Sequence, residues 1–166
     1  MTPDRGSAQP PPEFDVFHVD ASTWIGLHEE KYPPDVFPSL WTALAVHAQA
    51  GHIKAPHEVL REVGEDQGVG AWLRMQQPTI VPRATSPVQR LVGELLGAFP
   101  ALTRGKTASG DPWVIAFAQN GGPTHVVVTK EGSGGQTKPR IPDVCIARAV
   151  SYIGTLEMLR KLKIRL

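Results

Sequence analysis

The chain has a single cysteine, Cys145. No intramolecular disulfide can form, which fits a reducing compartment. No apolar run approaches the roughly 18 residues that a membrane span requires. Net charge is only +1, so no global field advertises a polyanion as partner, and a local basic patch would have to do that work. Internal repeats and coiled-coil heptads are missing. The segment Met1 to Pro12 is polar and proline-rich and lacks the apolar stretch of a secretory signal. It reads as a flexible N-terminal tail over 1–12, followed by one domain over 13–166. The expectation is a soluble, cytoplasmic protein with no membrane association.

What is present suffices for a globular domain. A chain of 166 residues with 41% apolar and 20% charged residues can build a real core. Phe14 to Ser22 reads as a first strand, with Phe17 and Val19 apolar and Asp20 at its C-terminal tip. A helical piece over Thr23 to Glu30 follows, and then the Pro33-Pro34 break. Ser39 is placed to cap a helix from Leu40 to Ala50, ended by Gly51. His52 to Ala55 is a second strand, and Pro56 opens a helix running to Val63. Gly64 to Gly70 reads as a loop and Ala71 to Gln77 as a helix. Thr79 to Val81 is expected to be a third strand. Ser86-Pro87 opens an amphipathic helix that reaches Phe99.

Asp111-Pro112 opens a helix over Trp113 to Gln119 that is apolar nearly all round, and such a helix is expected to be buried. His125 to Thr129 is the clearest strand, being short, β-branched and bounded by turns. Gly132 to Pro139 is a loop, Pro142 to Val150 a helix, Ser151 to Ile153 a last strand and Thr155 to Leu162 a terminal helix. Strands alternating with helices predict a parallel sheet covered on both faces.

Ligands of open α/β sheets collect at the carboxyl ends of the strands. Four acids have positions that bring them there: Asp20 after the first strand, Glu62 on the helix after the second, Asp111 opening the buried helix, and Glu131 after the strongest strand. Clustered carboxylates repel one another unless a cation joins them. Hard divalent ions such as Mg²⁺ and Mn²⁺ take such oxygen ligands. Each acid also has a plainer reading. Asp20 and Asp111 can cap helices, Glu58 and Glu62 can share a solvated helix face, and Glu131 can be a surface loop residue.

Other patterns fail on inspection. Gly105-Lys106-Thr107 ends like a phosphate loop, but the required earlier glycine is Pro100. His52 and His57 are five apart and have no cysteine partners for zinc. Cys145 is read as a buried structural thiol, and the four tryptophans as core or partner-facing anchors.

Six segments together resemble the PIN-domain superfamily of metal-dependent ribonucleases. They are Val19-Asp20-Ala21-Ser22, Tyr32 to Trp41, Pro56 to Val63, Asp111 to Ala116, Val127 to Glu131 and Ile141 to Cys145. Within that superfamily the chain looks like a PIN-like family of toxin-type ribonucleases catalogued as a domain of unknown function. The resemblance implies a three-layer α/β/α domain with a central parallel sheet in the order 3-2-1-4-5. It implies a Mg²⁺- or Mn²⁺-dependent site that cuts RNA, with Asp20, Glu62, Asp111 and Glu131 as catalytic, metal-binding acids. Asp143 is the family's extra acid, either joining the site or capping a helix. Ser22 and Thr129 match positions that support the site by hydrogen bonding. Lys54, Arg61, Lys106 and Lys130 are candidates for steering phosphate. Many small PIN proteins are toxins neutralised by a cognate antitoxin protein, and they commonly form homodimers. Two rivals stay open: a catalytically inactive PIN-fold module that binds RNA or protein, and a phosphoesterase acting on DNA or another ester.

Overall fold

The computed structural model describes residues 13–64, 68–103 and 109–166. The expected tail over 1–12 and the candidate Lys106 lie outside the described residues. Among these, four parallel strands form one sheet in the order β2-β1-β3-β4: β1 Val16–Val19, β2 Ile53–Lys54, β3 His125–Val128 and β4 Tyr152–Ile153. β1 is central, pairing Phe17 with Ile53 on one side and Val19 with Val128 on the other.

Side chains alternate along a strand, so the two faces build separate cores. Phe17, Val19, Ile53, Val126 and Val128 pack in one, with Trp24, Leu40, Trp41 and Leu44. These come from α1 (Ala21–Ile25) and α2 (Pro38–Gln49), and α3 (His57–Val63), α4 (Val69–Met75) and α8 (Thr155–Lys161) add Val59, Leu73 and Met158. On the opposite face Val127 packs under α5 (Ser86–Ala98), α6 (Asp111–Gly121) and α7 (Ile141–Arg148). The expected α/β class with helices over both faces is therefore observed. As anticipated from its composition, α6 is buried from Val114 through Ala118.

The five-stranded order 3-2-1-4-5 is not found. Thr79 to Val81 forms a turn and not a strand. Ile80 donates its amide to Gln76 O at 3.1 Å and Val81 donates to Pro78 O at 3.1 Å, so both amides are used locally. Towards the sheet, the Ile80 carbonyl accepts from Ala55 N at 2.8 Å and the Thr79 carbonyl accepts from the Lys54 side chain at 2.7 Å. Ile80 is fully buried, so its apolar character reflects core packing and not ladder pairing. Two helix starts also differ. α2 begins at Pro38 with Phe37 before it, which puts Ser39 inside the first turn and not at the cap. Gly110, not Asp111, flanks the start of α6. After α1 the chain continues as a π-helix over Gly26–Lys31.

Candidate functional site

All four strands run the same way, so the residues that follow them share one edge. Asp20 follows β1 and Thr129 follows β3, and ladder bonds lock both in place. Asp20 N donates to Val128 O at 3.1 Å, and Thr129 N donates to Ile153 O at 3.0 Å. Asp20 is 1% exposed. Its Oδ1 accepts the Thr23 amide at 2.8 Å, which makes it the N-cap of α1. Its Oδ2 accepts the Thr129 hydroxyl at 2.6 Å and the Ser22 hydroxyl at 3.2 Å. The cap reading of Asp20 is thus realised, and the two supporting hydroxyls expected from the sequence both reach its carboxylate.

Burial pushes the Asp20 carboxyl above its ordinary range. The hydrogen bonds from Thr129 and Thr23 oppose that shift, and the nearby Glu131 charge adds to it. Glu131 is positioned by the same threonine, its amide donating to Thr129 Oγ1 at 3.1 Å. One hydroxyl therefore links the two acids. A second threonine completes the frame: Thr23 Oγ1 accepts the Lys130 amide at 3.1 Å, fixing the segment after β3 against α1. Lys130 also lies across Gly26 of the π-helix, where an added Cβ would stand 3.2 Å from its Nζ, and it pairs with Glu30 at 3.8 Å.

Glu62 is half-buried on α3 and accepts the amide of Gly110, the residue before Asp111. This bond ties α3 to the first turn of α6. Asp111 is half-buried as the first residue of that helix, and its amide donates to Ser109 Oγ at 3.3 Å. The structure thus pairs Asp20 with Glu131 and joins Glu62 to the helix start that carries Asp111. Among the described residues, no three histidine, cysteine, aspartate or glutamate side chains form a metal-ligand group.

Asp143 is engaged elsewhere. Its carboxylate accepts the Ser133 hydroxyl, and the amides of Gly134 and Arg140 at 2.8 Å each. Those bonds hold it below the usual carboxylate range, the Ser133 hydroxyl most of all. They make it the acidic half of a capping box on α7, the capping branch of its two expected roles. Of the phosphate-steering candidates, Lys54 donates to Thr79 O at 2.7 Å and Arg61 is exposed on α3.

A family model described as Domain of unknown function (DUF4411) matches residues 17–166. The chain belongs to the DUF4411 family. Compared with the curated proteins and with the solved structures, it matches none. In this DUF4411 domain the matched span contains every acid discussed above. It also contains Cys145, whose thiol burial pushes up to about 12, as expected for an inert structural cysteine.

Ser22 and Thr23 both follow the strand-tip aspartate in the sequence, but the bond from the Lys130 amide to the Thr23 hydroxyl is not legible there. That bond depends on β3 ending beside α1. The close fit at Gly110 is equally hidden in the sequence. A Cβ there would come 2.7 Å from Val59 Cγ2 and 3.1 Å from Glu62 Oε1. Gly110→Ala should therefore cost about 1–3 kcal/mol, as overpacked sites do. Urea unfolding checks this, and an unchanged midpoint would show that the packing between α3 and α6 gives way freely.

Proposed function

We propose that this protein is a metal-dependent endoribonuclease on a PIN-like domain. The observation that carries the reading is Asp20, a buried carboxylate at the carboxyl edge of the central strand. Its hydrogen-bond donors, from Ser22, Thr23 and Thr129, are all uncharged, and a second acid, Glu131, adds its repulsion. A buried negative charge with only neutral partners is costly, and a cation relieves it. The donor set fits a hard divalent ion: oxygen atoms only, from few side chains, which is how Mg²⁺ is commonly held with water.

Asp20 and Glu131 would hold Mg²⁺ or Mn²⁺, and Glu62, Asp111 and Asp143 are the further acids that the resemblance assigns to it. What such an ion supplies when bound is a water of lowered pKa and neutralisation of charge at the scissile phosphate. The chain's own part is orientation. Thr129 and Ser22 keep the Asp20 carboxylate aimed, and the hydrogen bonds from Thr129 and Thr23 favour its ionised form. The Thr129 hydroxyl, accepting the Glu131 amide, sets the second acid beside the first. Glu62 steadies the start of α6, and so the backbone that presents Asp111.

A single compact domain with one buried thiol also suits a cytoplasmic toxin held by a cognate antitoxin protein, working alone or as a homodimer. The alternative, a PIN-fold module that binds RNA or protein without cutting, draws support from the engagement of Glu62 with Gly110. Purified protein incubated with labelled RNA and matched DNA, in Mg²⁺ or Mn²⁺ and then in chelator, tests the reading. Cutting of RNA alone, abolished by chelator, is expected. Cutting that survives the chelator contradicts it, and binding without cutting favours the alternative.

A further inference from the structure

We infer that the groove beside the Asp20 site binds a single-stranded segment of RNA, with Tyr152 as the stacking platform for one base. The inference rests on the ribonuclease reading for its choice of nucleic acid. The groove has a volume of about 560 Å³ and is lined by Thr129 and Glu131 of the candidate site itself. It runs on over β4 and the start of α8. Cations come from three separate elements: Lys31 from the end of the π-helix, Lys130 from the segment after β3, and Arg160 from α8. Glu157 is the other acid among its described lining residues. Three cations thus line the groove against two acids, Glu131 and Glu157, with Lys130 also paired to Glu30, and a phosphodiester backbone entering the site would meet them.

The apolar part of the groove is as informative as its charge. Tyr152 stands at the start of the sheet's outer strand and is 41% exposed, and Leu156 is 53% exposed. An exposed aromatic ring that shares a groove with cations is the combination that single-strand binders use. Every base has a face to stack, so such a platform demands an unpaired base and reads little sequence. A duplex keeps its bases stacked on one another and cannot offer one.

The test uses the full chain in chelator, so that binding is read without cleavage. The probe is a fluorescein-labelled single-stranded RNA of about 12 nucleotides, followed by anisotropy. Tyr152→Ala is expected to weaken binding roughly tenfold, while Tyr152→Phe retains it. Lys31→Ala should flatten the dependence of log affinity on log salt by about 0.7, the share of one phosphate that the lysine no longer neutralises. A duplex of the same sequence should be indifferent to Tyr152. Wild-type affinity in Tyr152→Ala, equal loss in Tyr152→Phe, or no RNA binding at all would overturn the assignment. In the last case the patch would belong to a protein partner. Lys31 is exposed, so an unchanged salt slope in Lys31→Ala overturns the assignment even where Tyr152→Ala does not fold. Tyr152-dependent binding with no metal-dependent cutting leaves the groove standing and removes the nuclease reading. Asp20-dependent cutting with a silent Tyr152 does the reverse.

Discussion

Asp20→Asn is expected to lower metal-dependent RNA cleavage by about a hundredfold to a thousandfold, the range for removing one preorganised charge at a reacting centre. The protein should remain folded, because the change preserves shape. Asparagine Oδ1 can still accept the Thr23 amide and cap α1, and the hydroxyls of Ser22 and Thr129 can turn a lone pair to the new amide. Stability should move the other way from activity. The folded-state pKa of Asp20 is raised by burial, so its ionised form weakens the fold at neutral pH. In chelator Asp20→Asn should therefore melt at or above the wild-type temperature. Asp111→Asn should also lose cleavage. Full activity in both variants, measured on labelled RNA, would remove the proposed mechanism.

The second large effect lies inside the sheet. His18 is 2% exposed on β1, stacked on Phe117 with ring centres 6.1 Å apart. Its Nε2 lies 2.9 Å from His125 Nδ1. Burial first, then the neighbouring His125 and Lys54, pulls its imidazole down to about 3 from an ordinary 6.5. A lowered histidine pKa means that the folded state prefers the neutral ring. Its contribution is therefore complete above pH 6.5 and lost progressively as pH falls from 6.5 toward 3. The loss is on the order of 5 kcal/mol across that window, a large share of a domain's stability. His28, His47 and His125 are also lowered by burial and act with the same sign, while the raised Asp20 opposes them. Comparing urea unfolding of wild type and His18→Leu from pH 7 downward isolates the residue. The variant should lose about 1.4 kcal/mol per pH unit of slope. Parallel slopes would mean that His18 takes its proton within the fold.

How far the sequence discloses this architecture depends on whether local pattern and tertiary role coincide. At β3 they coincide: Val126, Val127 and Val128 are β-branched and buried in the sheet. In α6 they coincide as well, since a helix apolar all round has nowhere to go but the interior. At Thr79 to Val81 they part. A three-residue apolar run carries no period, and the use of its amides within a turn is invisible until the chain around Pro78 is seen. The neighbours of Asp20 alone put it at the strand tip, yet its tie to Thr129 depends on β1 and β3 being adjacent. Glu62 reads as a ligand by its register. The Gly110 amide that occupies it lies next to a segment outside the described residues. Asp143 is legible as a capping residue once Pro142 is seen to open a helix, but its bond to Ser133 is not. The groove beside Asp20 is the least legible of all. Lys31, Lys130, Tyr152 and Arg160 belong to four separate stretches, and no local pattern joins them.

Calorimetric titration with Mn²⁺ tests most directly whether Asp20 and Glu131 share a cation. The account predicts saturable binding to the wild-type protein at neutral pH, weakening on acidification as Asp20 takes up a proton, and lost in Asp20→Asn. Binding of equal strength in wild type and Asp20→Asn, or none in the wild type, would contradict it.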